Sequence, residues 1–181
     1  MCSKKGIYDI HQISRKLIIP TVNIYTEQLY VFHSGKNIKD EENIKYINHA
    51  DIGTVVQASC SYPGIFCPCK YNNVLLVDGG VSENLPWRET KRIGADKVLS
   101  IVFVNKKQKK CCDNVIQILD KSFEILCHEL AQYEWDGTDY LLEIEHDNVG
   151  LLDWRKVDEL YEQGYLQTKA KIKELLPRFK A

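Results

Sequence analysis

Asp78 ends an apolar run, Val74-Leu75-Leu76-Val77, and is followed at once by Gly79 and Gly80. The run reads as a strand, and in open α/β sheets functional groups gather at the carboxyl ends of strands. A carboxylate placed there and partly removed from water has a raised pKa and can take a proton as a general base. Two glycines behind it let a substrate or a neighbouring side chain approach the backbone with no Cβ in the way. The same residues also spell a plain Asp-Gly turn with no chemistry. Spacing alone leaves both readings open.

Other reactive side chains are weaker candidates. Ser59, Ser61 and Ser82 lie near Asp78 in sequence, but none has the flanking glycines that relieve strain where a nucleophilic serine sits on a tight elbow. The seven cysteines, Cys2, Cys60, Cys67, Cys69, Cys111, Cys112 and Cys127, are odd in number and lack a disulfide-framework spacing. Cys67-x-Cys69 and adjacent Cys111-Cys112 are poor matches to zinc-ligand pairs, and buried or incidental thiols are expected there. No metal and no cofactor is expected.

The elements that must position Asp78 can be traced along the chain. Leu17 to Tyr25 and Leu29 to His33 are rich in β-branched and aromatic residues and form an expected strand pair, with Pro20 at a strand start or edge. Ser34-Gly35-Lys36-Asn37 closes the second strand as a turn. In KDEENIKYINHADIGTVVQASCS, apolar residues recur at Ile44, Ile47, Ile52, Val55 and Val56, which predicts helix, although Gly53 interrupts it. Tyr62-Pro63-Gly64 breaks the chain, and Asn72-Asn73 turns it into the strand that ends at Asp78.

Beyond Asp78, Trp87 to Ile93 is a short expected helix stopping at Gly94. Lys97 to Val104 is a continuous apolar strand, the pattern of a parallel strand covered on both faces. Lys106 to Lys110 reads as a solvated basic loop. Asp113 is a candidate cap for a helix through about Tyr133, with Val115, Ile116, Leu119, Phe123, Leu126 and Leu130 along one face. Tyr140 to Glu145 alternates as a strand. After Leu151-Leu152-Asp153, a last helix from about Trp154 to Leu176 is expected to end before Pro177, with Lys169, Lys171 and Lys173 on a solvated face. Alternating strands and helices define an α/β fold.

The totals fit one domain spanning residues 1–181, with 44% apolar and 27% charged residues. A formal net charge of −1 offers no electrostatic case for nucleic acid. No apolar run is long enough to cross a bilayer, and the charged start, MCSKKGIYDIHQISRK, has no apolar segment behind it. Reduced thiols and a cytoplasmic setting are expected.

Two further blocks give Asp78 a context. Ala58-Ser59, Pro63, Phe66 and Pro68 precede it, and Asn84 and Pro86 follow Asp78-Gly79-Gly80. In this order they resemble the second half of the patatin-like phospholipase domain. The flanking order also fits, from Phe32-His33-Ser34-Gly35 to Glu162-Gln163-Gly164-Tyr165, so the resemblance runs from about Ile10 to Leu176. It implies an α/β/α sandwich in three layers and a serine acyl hydrolase for phospholipids or other fatty acyl esters. In that family a Ser–Asp dyad replaces the usual triad, and the resemblance makes Asp78 the aspartate, leaving the five histidines without a catalytic role. Gly79, Gly80, Ser59, Pro63, Asn84 and Pro86 become motif and wall residues.

One departure is large. No Gly-x-Ser-x-Gly and no glycine-rich oxyanion loop precede Asp78, so the chain resembles the C-terminal portion of the domain without its nucleophile half. An incomplete sheet is expected, with the strand of Asp78 left as an open edge for a partner chain or a second copy to cover. A truncated gene product, one half of a split enzyme and a non-catalytic interaction protein remain open readings.

Overall fold

The computed structural model describes residues 6–105, 114–146 and 154–179. Lys106 to Lys110, Cys111, Cys112, Asp113 and Leu151 to Asp153, singled out in the sequence, lie outside the described residues.

The expected strand pair forms: β1 (Ile18–Asn23) and β2 (Leu29–His33) run antiparallel, Ile18 opposite His33 and Val22 opposite Leu29. Glu27, at φ 61°, bends the chain between them. Pro20 sits inside β1 rather than at its start, opposite Val31, but the ladder on the other side of β1 begins only at Thr21. A residue without an N–H is tolerated where that second ladder has stopped.

The segment expected to be helical divides in two. Ile44–Ile47 is a strand, β3, parallel to β2, and only Ile52–Ser59 is helix, α1. Ile44 and Tyr46, two positions apart, both face the Val22–Val31 side of the sheet, a period of two that the longer spacings concealed. Asp51 starts α1 by accepting from the Thr54 N–H at 2.8 Å. A short strand absent from the sequence reading, β4 (Cys69–Tyr71), forms a hairpin with β5 (Val74–Asp78) across Asn72, at φ 50°.

The sheet order is β3-β2-β1-β5-β4. The strand of Asp78 is therefore not the open edge that was expected. β1 and β4 flank it, both antiparallel, so the chain itself supplies its neighbours. Cores lie on both faces. Ile10, Phe32, Val55, Ala58 and Leu76 pack against α1 on one side, and Val22, Val31, Tyr46 and Val77 fill the other.

The rest of the chain forms a second unit of sheet. After α2 (Trp87–Arg92), which stops at Gly94 with φ 94°, β6 (Leu99–Asn105) pairs in parallel with β7 (Tyr140–His146). Their crossover contains α3 (Val115–Glu134), and Leu142 and Ile144 of β7 pack on Leu175 of α4 (Val157–Phe179). Asn114 caps α3, its Oδ1 accepting from the Gln117 N–H at 2.9 Å. α4 continues through Pro177 to Phe179, because in a last turn the missing N–H removes only one bond.

The expected covering of β6 fails here. β6 is not covered on both faces: Leu99, Ile101 and Phe103 are 37%, 51% and 74% exposed. Val115, Leu119 and Leu126 of α3 are also open to solvent. The free edge of β7, by contrast, is guarded: Gln167 of α4 accepts from the Glu145 N–H at 2.9 Å and donates to the Glu145 carbonyl at 2.7 Å. The class is mixed α/β, as expected. Among the described residues, no helix is long and apolar enough to cross a membrane.

Candidate active site at the end of β5

Asp78 closes β5 opposite Thr21, and its N–H donates to the Ser61 carbonyl at 3.1 Å. Its side chain folds over the short turn Gly79–Val81, with Oδ1 accepting from the Gly80 N–H at 2.8 Å. The two glycines answer different needs. A Cβ on Gly79 would sit 2.6 Å from the Pro20 carbonyl oxygen, a backbone atom that cannot give way. On Gly80 it would come within 3.2 Å of Asp78 Oδ1 and 3.3 Å of Asn84 Oδ1, crowding the carboxylate itself.

Burial pushes the Asp78 carboxyl above its ordinary range, and the Gly80 N–H works against that by stabilising the charge. Among the described residues no cation pairs with it. It lines a cavity of about 830 Å³ between the β5 turn, β6 and α3. Tyr62 and Asn84 form one side; Ile101 and Phe103 form another; Phe123, Cys127 and Trp135 of the α3 region close the third. The Tyr62 and Phe123 rings meet edge to face at 4.9 Å.

Cys127 also lines the cavity. Its thiol donates to the Gly80 carbonyl at 3.6 Å. Burial, and then the charge of Asp78, push that thiol upward, so it stays protonated and unreactive at neutral pH.

Carboxylates also hold the following loop. Glu134 of α3 accepts from the Leu85 N–H at 2.7 Å and so ties α3 to the segment after Asp78. Glu83 is raised to about 7 by burial, with Glu89 and Glu134 adding to the effect and Arg88 opposing it. Its Oε2 is buried and has no hydrogen-bond partner among the described residues. Glu89, 2% exposed, accepts from the Tyr46 hydroxyl at 2.7 Å.

Of the residues singled out in the sequence, Asp78, Gly80 and Asn84 line the cavity, and Gly79 lies buried behind them. Ser59, in the last turn of α1, and Pro63 do not line it. Pro86 precedes α2 and accepts at its carbonyl from the Thr90 N–H and hydroxyl, at 3.0 and 2.7 Å, so it positions a helix. Ser61 is 2% exposed and donates to the Gln57 carbonyl at 2.8 Å, which occupies its hydroxyl. Ser82 lines a separate cavity of about 510 Å³. Sequence reasoning missed Tyr62 and Cys127 as wall residues. Cys127 lies 47 positions from the Gly80 carbonyl it touches, and no local spacing joins the two.

Asp78 thus stands as a strand-end carboxylate beside a cavity with several aromatic and aliphatic walls, in a mixed α/β domain. Residues 14–91, from ahead of β1 into α2, match the family model of patatin-like phospholipase. The match ends at Lys91, well short of the Leu176 expected from motifs alone, so the cavity walls on β6 and α3 lie outside the matched residues.

Proposed function

We propose that this chain carries the general base of a patatin-like serine acyl hydrolase acting on phospholipids or other fatty acyl esters. The supporting observation is Asp78 itself, part-buried on the wall of the cavity, free of any cation among the described residues, and held by one Gly80 N–H. In the proposed reaction a serine hydroxyl attacks the ester carbonyl while the Asp78 carboxylate takes its proton. The protonated carboxyl then gives that proton to the leaving alcohol. In the second half Asp78 deprotonates a water that attacks the acyl-serine, then returns that proton to the serine oxygen as the acyl–oxygen bond breaks and the fatty acid leaves.

No Gly-x-Ser-x-Gly occurs within the 181 residues, so the nucleophile comes from polypeptide beyond them. Its docking place is the free edge of β6, where Ile101 and Phe103 stand exposed beside the cavity. A non-catalytic role, with the same surface serving only to hold a partner, is the competing reading. A cytoplasmic setting suits the free thiols of Cys60, Cys67, Cys69 and Cys127.

A fluorophosphonate probe separates these readings when applied to the chain alone and to the chain with the polypeptide encoded immediately ahead of Met1. Labelling on a serine of the added polypeptide, with ester turnover only when both are present, is the expected result. If no glycine-flanked serine is encoded there and no labelling occurs, the hydrolase reading fails.

A further inference from the structure

Two short segments bring together side chains that the sequence keeps far apart. Tyr8 to Ile10 lies against Ala50 to Ile52. The Ile10 N–H donates to the Ala50 carbonyl at 3.0 Å, and the Ile52 N–H to the Tyr8 carbonyl at 2.8 Å. Asp9 and Asp51 form an isolated antiparallel bridge between these bonds. Ile10 and Ile52, 0% and 8% exposed, anchor the pair in the core. On this fixed frame stand Asp9, His11 and His49, whose ligand atoms all lie within 4.8 Å of one another.

The geometry converges on one carboxylate. His11 Nδ1 is 2.7 Å from Asp9 Oδ1, and His49 Nδ1 is 3.8 Å from Asp9 Oδ2. The two rings lie 4.3 Å apart, centroid to centroid. Asp9 Oδ1 also accepts from the His11 N–H at 3.0 Å, which leaves Oδ2 as the freer oxygen, while Gln12 Oε1 takes the Tyr8 and Asp9 N–H groups and Asp51 Oδ1 takes the Thr54 N–H and hydroxyl. Both imidazoles are substantially exposed, at 45% and 64%, so an ion could enter and a water could complete its coordination.

We infer that Asp9, His11 and His49 form a binding site for a divalent transition ion of the zinc class. Two imidazole nitrogens and one carboxylate oxygen are a three-ligand set that zinc accepts, with the fourth position left to water. The His11–Asp9 separation of 2.7 Å is shorter, and the His49–Asp9 separation of 3.8 Å longer, than ligands about 2 Å from one tetrahedral ion require, so both exposed rings would shift on binding. A bound ion would clip the N-terminal segment to the start of α1.

Zinc alone is the probe, titrated by calorimetry into the 181-residue protein, into His49→Ala and into the double variant His11→Ala/His49→Ala. One ion per wild-type chain is expected, with affinity at least about tenfold lower in His49→Ala and no binding to this site in the double variant. Far-UV circular dichroism checks that the variants fold. At free zinc about 100 times Kd, the unfolding equilibrium constant of the wild type should fall roughly 100-fold, with no such shift in the double variant. Absence of saturable binding, or equal affinity and stoichiometry in the double variant, would overturn the assignment; the second result would place zinc on the cysteines.

Discussion

Replacing Glu83 with glutamine tests how the loop after Asp78 is held together. Glu83 is raised from 4.5 to about 7 in the folded protein, first by burial and then by Glu89 and Glu134. The folded state thus binds its proton more tightly than the unfolded state does. Below about pH 4.5 both states are protonated and nothing is lost. As pH rises through the window from 4.5 to about 7, the folded state accumulates a penalty, which is complete above 7. At 1.36 kcal/mol per pH unit that penalty is at most about 3 kcal/mol. Glutamine fits the same space without the charge. In urea, with a slope of roughly 2 kcal/mol/M for a protein of this size, the variant's midpoint should exceed that of the wild type by up to about 1.5 M more at pH 8 than at pH 4.5. A midpoint difference that does not change between these pH values would refute the idea that Glu83 carries a buried, poorly compensated charge.

Other perturbations have distinct outcomes. Gly79→Ala drives a Cβ toward the Pro20 carbonyl and should cost about 1–3 kcal/mol, read as a lower thermal midpoint. Tyr46→Phe removes the hydroxyl that donates to buried Glu89 and should cost about 1.5–3 kcal/mol in chemical denaturation. Phe103→Lys alters a side chain that is 74% exposed, so stability should move by less than about 0.5 kcal/mol. The same variant should weaken self-association or partner binding at the β6 edge in sedimentation velocity, and an unchanged profile would remove that edge as a docking surface.

The strand ending at Asp78, the β1–β2 pair and the two long helices were legible because each rests on local chemistry: apolar runs, turn residues and side-chain periodicity. β3 was hidden because Ile44 and Tyr46 repeat every two residues inside a stretch whose wider spacings fit a helix. The neighbours of β5 were misjudged for a different reason. Antiparallel pairing with β1 and β4 depends on long-range register, which no short motif encodes. At the candidate site, Asp78, Gly79, Gly80 and Asn84 could be picked from a continuous motif. Tyr62 and Cys127 could not, since α3 is brought over the β5 turn by contacts such as Glu134 with the Leu85 N–H. Cysteine spacing offers no ligand set, whereas Asp9, His11 and His49 are brought together across the backbone bridge between Asp9 and Asp51.

The proton-accepting role of Asp78 is tested most directly by steady-state hydrolysis of a chromogenic acyl ester. The assay uses this chain alone and together with the proposed serine-bearing polypeptide, as wild type and as Asp78→Asn. The chain alone should show no turnover. With both components, Asp78→Asn should lower kcat/KM by at least about 100-fold while folding and assembly persist, the loss typical of a missing general base. Equal turnover by wild type and Asp78→Asn would contradict the assignment of Asp78 as the base.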